Sequence, residues 1–162
     1  MNHEEVEKAM RGFDAVWQRV NARGEDCGIP AADNAVLLQS LIRTEAEAQR
    51  AYQSLSVQCS GKPREKLSHL ALESSLAEKS LQQEYFCLTG DTYAVQTSHV
   101  VEAPFLTMLR ETLLREQQSK SAYLAAAAQT DSELLRLLFG DLAAKRDGRI
   151  KLLKILMGQV LG

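Results

Sequence analysis

The sequence is poor in several things that usually announce a function. Its 162 residues contain three cysteines, three prolines and nine glycines, and aromatic residues make up 6%. Cys27, Cys59 and Cys87 are too few and too widely spaced for a disulfide framework or for paired CxxC metal sites, so reduced thiols are expected. Neither Cys59 nor Cys87 has a basic cluster beside it to lower its pKa, which argues against thiol reactivity. No hydrophobic run approaches the ~20 residues needed to cross a bilayer. The most apolar stretch, "AYLAAAA" at 122–128, is far shorter. Charge is almost balanced, at −2, with no basic block to suggest nucleic acid as a partner. The opening "MNHEEVEKAM" is acidic and polar, unlike a secretory signal, and a cytoplasmic protein is expected. A Gly-rich phosphate loop and a nucleophile elbow are both missing.

What is present is helix. The prolines and glycines gather where helices should stop: "GEDCGIPAAD", "CSGKP", the long "LTGDTYAVQTSHVVEAP", and "QTDSE", in which Thr130 and Asp131 are candidate caps. They leave a short amphipathic helix at 3–22 and four long helices near 32–58, 63–89, 104–128 and 131–160. Alternation of the strand kind is confined to "TSHVVE", and the fold class is all-α. A domain of this length is expected to form one core, here a bundle over 31–162 preceded by a helix and linker over 1–30. Tight links make antiparallel hairpins of the first two and the last two long helices. The middle connection, of about 14 residues, reaches ~46 Å when extended, whereas a helix of about 26 residues is ~39 Å long. That matches a four-helix bundle with one long crossover between its second and third long helices, as in ferritin-like folds.

Each long helix carries a stripe at steps of three and four. The first has Leu38, Leu41, Glu45, Ala48, Tyr52 and Leu55; the second Leu67, Leu70, Ser74, Ala77, Leu81 and Leu88. In the third it is Leu106, Leu109, Leu113, Glu116, Ser119 and Tyr123; in the last Leu135, Leu138, Leu142, Arg146, Arg149, Leu153, Leu156 and Val160. At about 100° per residue, Arg149 lies near the middle of its stripe and Arg146 roughly 40° to one side. Lys151 and Lys154 fall on the opposite face. A solvated charge run suited to the helix dipole is the competing reading, and the central position of Arg149 weighs against it.

The two halves are alike. "IRTEAEAQRAY" at 42–52 aligns with "LLREQQSKSAY" at 113–123, and "HLALESSLAEKSL" at 69–81 with "DLAAKRDGRIKLL" at 141–153. Ser74 then matches Arg146 and Ala77 matches Arg149, as in a duplicated helical hairpin. Glu45 with Tyr52, and Glu116 with Tyr123, repeat a glutamate followed at +7 by an aromatic. With "YFCLTG" at 85–90 and "FDAVWQRV" at 13–20, this resembles a bacterial branch of the ferritin-like, rubrerythrin-like di-iron carboxylate proteins. The resemblance implies a Glu-x-x-His on the second helix of each hairpin. Ser74 and Ala77 stand there in one half, Arg146 and Arg149 in the other. Arginine stays protonated and is no metal ligand, so the family's oxidase, peroxidase and iron-storage activities are not carried over.

The resemblance therefore implies a degenerate bundle whose di-metal centre is lost. Two glutamates facing a dry core need compensating charge, and two guanidiniums can supply it through bidentate hydrogen bonds. Ser74 and Ala77 are small and leave room for them. Glu45, Glu116, Arg146 and Arg149 are thus expected to form an internal ion cluster, with Tyr52 and Tyr123 either donating to the glutamates or serving as plain core aromatics. No catalytic residue, metal or cofactor is expected, and the function reads as a non-catalytic scaffold or interaction module. The alternative is an iron- or manganese-dependent oxidoreductase using Glu45 and Glu116 with an atypical set such as His69, Glu73 and Asp141. A one-residue slip in the second helix would bring Glu73 into the seam. His69 otherwise reads as a surface histidine, and His3 and His99 lack ligand spacing. On the first helix Val6, Met10, Phe13, Trp17 and Val20 share a face that must be covered, by the same bundle or by a second copy in a homodimer.

Overall fold

Gly61, Gly90 and Pro104 lie at the ends of elements, Gly140 and Gly148 lie inside the last helix, and the long amphipathic stretches fold as helices. A computed structural model describes residues 31–97 and 102–162. Four helices make it up: α1 (Ala31–Val57), α2 (Gly61–Thr89), α3 (Phe105–Gln129) and α4 (Glu133–Leu161). Among the described residues there is no strand, and no helix is long and apolar enough to cross a membrane. The expected helix at 3–22 with Trp17, the boundary at residue 30, Cys27, His3 and His99 all lie outside the described residues.

The helix ends show why the links are short. Gly61 opens α2 with φ at 65°, a left-handed conformation that favours glycine and lets the chain reverse within residues 58–60. Gly90 closes α2 with φ at 80°, and its N–H donates to the Phe86 carbonyl at 2.8 Å. At α4 the expected caps, Thr130 and Asp131, give way to Ser132, whose Oγ accepts from the Leu135 N–H at 3.3 Å. Thr130 instead closes α3, and its Oγ1 accepts from the Ser132 N–H at 3.2 Å.

Two apolar layers hold the bundle. One gathers Leu38 and Ile42 of α1, Leu81 and Tyr85 of α2, Tyr123 and Ala126 of α3, and Leu135 and Phe139 of α4. The other gathers Tyr52 and Leu55, Leu67 and Leu70, Met108 and Leu109, and Leu153 and Leu156 from the same helices in order. The start of α1 thus packs beside the ends of α2 and α3 and the start of α4, so α2 and α3 point the same way. Between them, Tyr93 and Val95 pack on the first layer, whereas Ala103 and Phe105 pack on the second. Gln82 fastens the start of this connection: its Nε2 donates to the Tyr93 carbonyl at 2.7 Å, and its Oε1 accepts from the Tyr93 N–H at 3.0 Å.

The stripes differ from expectation at their margins. Phe139 takes the buried place given to Leu138, and Thr112 that given to Leu113; Leu138 and Leu113 are half-buried. Leu106, Ala48 and Leu88 are half-buried too, and Val160 is exposed at 49%. Each fully buried leucine stabilises the fold by ~2 kcal/mol. Leu38, Leu55, Leu67, Leu81, Leu109 and Leu153 are all at 0% exposure, so both layers have the means to support a charged layer between them.

Candidate functional site

Midway along the bundle, between the two apolar layers, the helices place charge. Arg146 and Arg149 are the largest fully buried side chains, at 0% and 1% exposure, and Glu45 and Glu116 are at 0% and 2%. Their positions follow from helix geometry. Arg146 and Arg149, three apart, project from one face of α4. Glu45 and Tyr52 lie two turns apart on α1, as do Glu116 and Tyr123 on α3. From α2, Ser74 and Ala77 face the same space, both buried and both small. The register with Ser74 and Ala77 in the seam is therefore the one adopted.

The Arg146 Nη2 donates to Glu45 Oε1 in a close charge-assisted contact. Its Nε donates to Ser119 Oγ at 3.0 Å and lies 3.2 Å from Glu116 Oε2. Arg149 Nη1 lies between the two glutamates, 3.6 Å from Glu45 Oε2 and 3.5 Å from Glu116 Oε1. Each guanidinium also lies over a ring, Arg146 at 5.1 Å from the centroid of Tyr123 and Arg149 at 5.9 Å from that of Tyr52. The tyrosines serve the opposite hairpins. Tyr123 of α3 donates its hydroxyl to Glu45 Oε1 of α1 at 2.5 Å, and the Tyr52 phenol of α1 feels the Glu116 carboxylate of α3.

Glu73 joins the cluster in a role the sequence did not suggest. It is half-buried at the flank of the seam, and its Oε1 accepts from Arg149 Nε at 2.8 Å. A residue one place off a stripe sits about 100° round the helix, within reach of a long arginine, and that offset was the available signal. Ser119 was visible in its stripe, and only the structure shows what it touches. Among the atypical ligands considered, His69 is exposed, and Asp141 is exposed and paired with Lys145 at 3.3 Å. Among the described residues no group of three or more His, Cys, Asp or Glu side chains is arranged to hold a metal ion. Cys59 is a half-buried free thiol whose pKa burial pushes up.

The ionisation of the cluster follows from its burial. Three carboxylates meet two guanidiniums (Glu45, Glu73 and Glu116 against Arg146 and Arg149), a formal balance of −1 when all are charged. Burial pushes the Glu116 carboxyl above its ordinary range, Arg146 and Arg149 pull it back, and the charge of Glu45 pushes it up again. Half-buried Glu78 is raised by its own burial and by the charge of Glu45. Burial would lower Arg149, but Glu45, Glu116 and the hydrogen bond to Glu73 outweigh it and hold the guanidinium above its ordinary value. Burial raises both phenols, with the negative charge of Glu45 adding at Tyr123 and that of Glu116 at Tyr52. The arrangement is suited to holding charge in place.

No family model and no curated protein matches the chain. It is similar to the solved structure of a hypothetical protein from Pyrococcus furiosus, with a TM-score of 0.70 and 22% identity over 83% of this chain and 97% of the other. At that identity the likeness is one of fold, an all-α arrangement of four helices.

Replacing Arg149 by alanine leaves buried carboxylates without their partner, so Arg149→Ala should lose ~3 kcal/mol or more in urea unfolding. Lys151→Ala, on the exposed face of the same helix, should change stability by no more than ~0.5 kcal/mol. Comparable small losses in both would mean that Arg149 is not buried in solution.

A second outcome concerns pH. The folded state holds the Glu116 proton more tightly than the unfolded state, since its pKa is raised from 4.5. The stability it contributes is therefore full below the unfolded pKa and is lost as pH rises through the folded value. Measured between about pH 4 and 7, the unfolding free energy of the unsubstituted chain minus that of Glu116→Gln should decline with rising pH. A difference that grows with pH would mean that Glu116 is stabilised as the anion.

Proposed function

We propose that the chain is a ferritin-like bundle of the rubrerythrin-like kind, with one long crossover between α2 and α3, in which an internal ion cluster has taken the place of the di-metal centre. It acts as a non-catalytic scaffold or interaction module in the cytoplasm, without nucleic acid, membrane or cofactor. The homodimer remains a proposal, through the face that carries Trp17. The observation that carries the reading is the burial of Arg146 and Arg149 against Glu45 and Glu116. The arginines occupy the α4 positions at which the family pattern has Glu-x-x-His, and Ser74 and Ala77 occupy the equivalent positions of α2.

The physical consequence is a centre already compensated. A divalent ion entering between Glu45 and Glu116 would meet two guanidiniums, whose positive charge opposes it, and would have to displace their hydrogen bonds to the same carboxylate oxygens. The rival reading, an iron or manganese oxidoreductase on Glu45, Glu116, His69, Glu73 and Asp141, draws less support, because His69 and Asp141 are exposed and Glu73 is engaged with Arg149.

A gain of function tests this assignment of positions. The quadruple variant Ser74→Glu, Ala77→His, Arg146→Glu, Arg149→His restores the family pattern on both hairpins. It should remain helical by circular dichroism and bind about two Mn²⁺ or Zn²⁺ per chain by titration calorimetry. A helical variant that binds neither ion would contradict the proposal that these four positions form the second half of a former metal site.

A further inference from the structure

The centre of the ion cluster contains more hydrogen-bonding capacity than its side chains use among themselves. Seven buried polar atoms there lack a hydrogen-bond partner of normal geometry: Glu45 Oε2, Tyr52 Oη, Ser74 Oγ, Glu116 Oε2, Arg146 Nη1, and Arg149 Nη1 and Nη2. They come from all four helices. Buried polar atoms in native proteins are almost always paired, and low dielectric makes an orphan costly. On the α2 side the neighbouring side chains, Ser74 and Ala77, are buried and small.

We propose that these atoms hold internal water, about two molecules at the usual ~3 hydrogen bonds each. The chemistry of the donors and acceptors selects the occupant. Three guanidinium nitrogens can only donate, two carboxylate oxygens can only accept, and two hydroxyls can do either. An anion would meet Glu45, Glu73 and Glu116, which already outnumber the arginines. A cation would meet guanidinium N–H groups. Only a small neutral molecule that both donates and accepts satisfies both sets, and water does so from either direction. Glu73, 27% exposed at its side chain and bonded to Arg149, is the member of the cluster nearest to solvent and marks the side of α2 from which water exchanges. The site rests on the geometry of the ion cluster and not on the proposed ferritin-like ancestry.

Two measurements on the full chain test it together. Oxygen-17 magnetic relaxation dispersion of solvent water should show long-lived internal water, and Ser74→Val, which removes a hydroxyl and adds volume at the site, should lose that contribution while Ser75→Val on the same helix retains it. A crystal structure of the unsubstituted chain should show solvent density within hydrogen-bond distance of Ser74 and of an Arg149 nitrogen. A dry centre, in which the seven atoms pair with one another, overturns the water site and leaves the ion cluster standing. Density coordinated like a metal ion between Glu45 and Glu116 overturns both the water site and the proposed function. If Ser74→Val does not fold, the crystal structure alone decides between these outcomes.

Discussion

The middle of this bundle is organised by one constraint: two guanidiniums and two carboxylates are held where water does not reach them freely. Taking such groups out of water costs several kcal/mol per ion unless opposite charges and hydrogen bonds replace the lost solvation. The replacement here is distributed. Arg146 is shared among Glu45, Glu116, Ser119 and the face of Tyr123, and Arg149 among Glu45, Glu116, Glu73 and the face of Tyr52. Apolar layers above and below fix the spacing of the helices and so the distances within the cluster. A buried pair of this kind is weak evidence for added stability, because a well-packed apolar substitute often does as well. Its clearer effect is on register: a shift of α4 by one residue would turn both arginines away from both glutamates.

The cluster also ties the two hairpins together. Glu45 and Glu116 each belong to the first helix of a hairpin, Glu73 to the second helix of the first, both arginines belong to α4, and Tyr123 reaches across to Glu45. The contacts that join the halves are electrostatic at mid-bundle and apolar in the layers at either end. This arrangement resembles what a metal pair does in a four-helix bundle, which is to draw residues from facing helices to a common centre. Fixed cations on α4 perform the same joining here.

Much of this was legible in the sequence, because burial by a helix face has a period that counting detects. Four long helices, the buried arginines and the glutamates they meet all follow from stripes at steps of three and four. The margins were less legible. Leu138 and Phe139 both lie near the edge of the α4 stripe, and which one is buried depends on the rotation of α4 against its neighbours. Val160 keeps the period but is exposed. Ser132 rather than Thr130 or Asp131 caps α4, since a run of three capping residues leaves the start of a helix ambiguous by a residue or two. Glu73 was assigned only to a metal-binding alternative; its contact with Arg149 depends on the length and direction of the arginine side chain, which helical spacing does not encode. What lies before residue 31, including the apolar face with Trp17, carries the strongest remaining sequence signal outside the described residues.

Under the proposed function, fixed guanidiniums stand where a rubrerythrin-like pattern would have metal ions. It is tested most directly by the metal content of the unsubstituted chain, purified without chelator, challenged with Fe²⁺, Mn²⁺ and Zn²⁺, and measured by mass spectrometry under native conditions. The expected result is no stoichiometric metal with any of the three. About two ions per chain, the complement of a di-metal bundle, would contradict it and return Glu45 and Glu116 to the role of ligands.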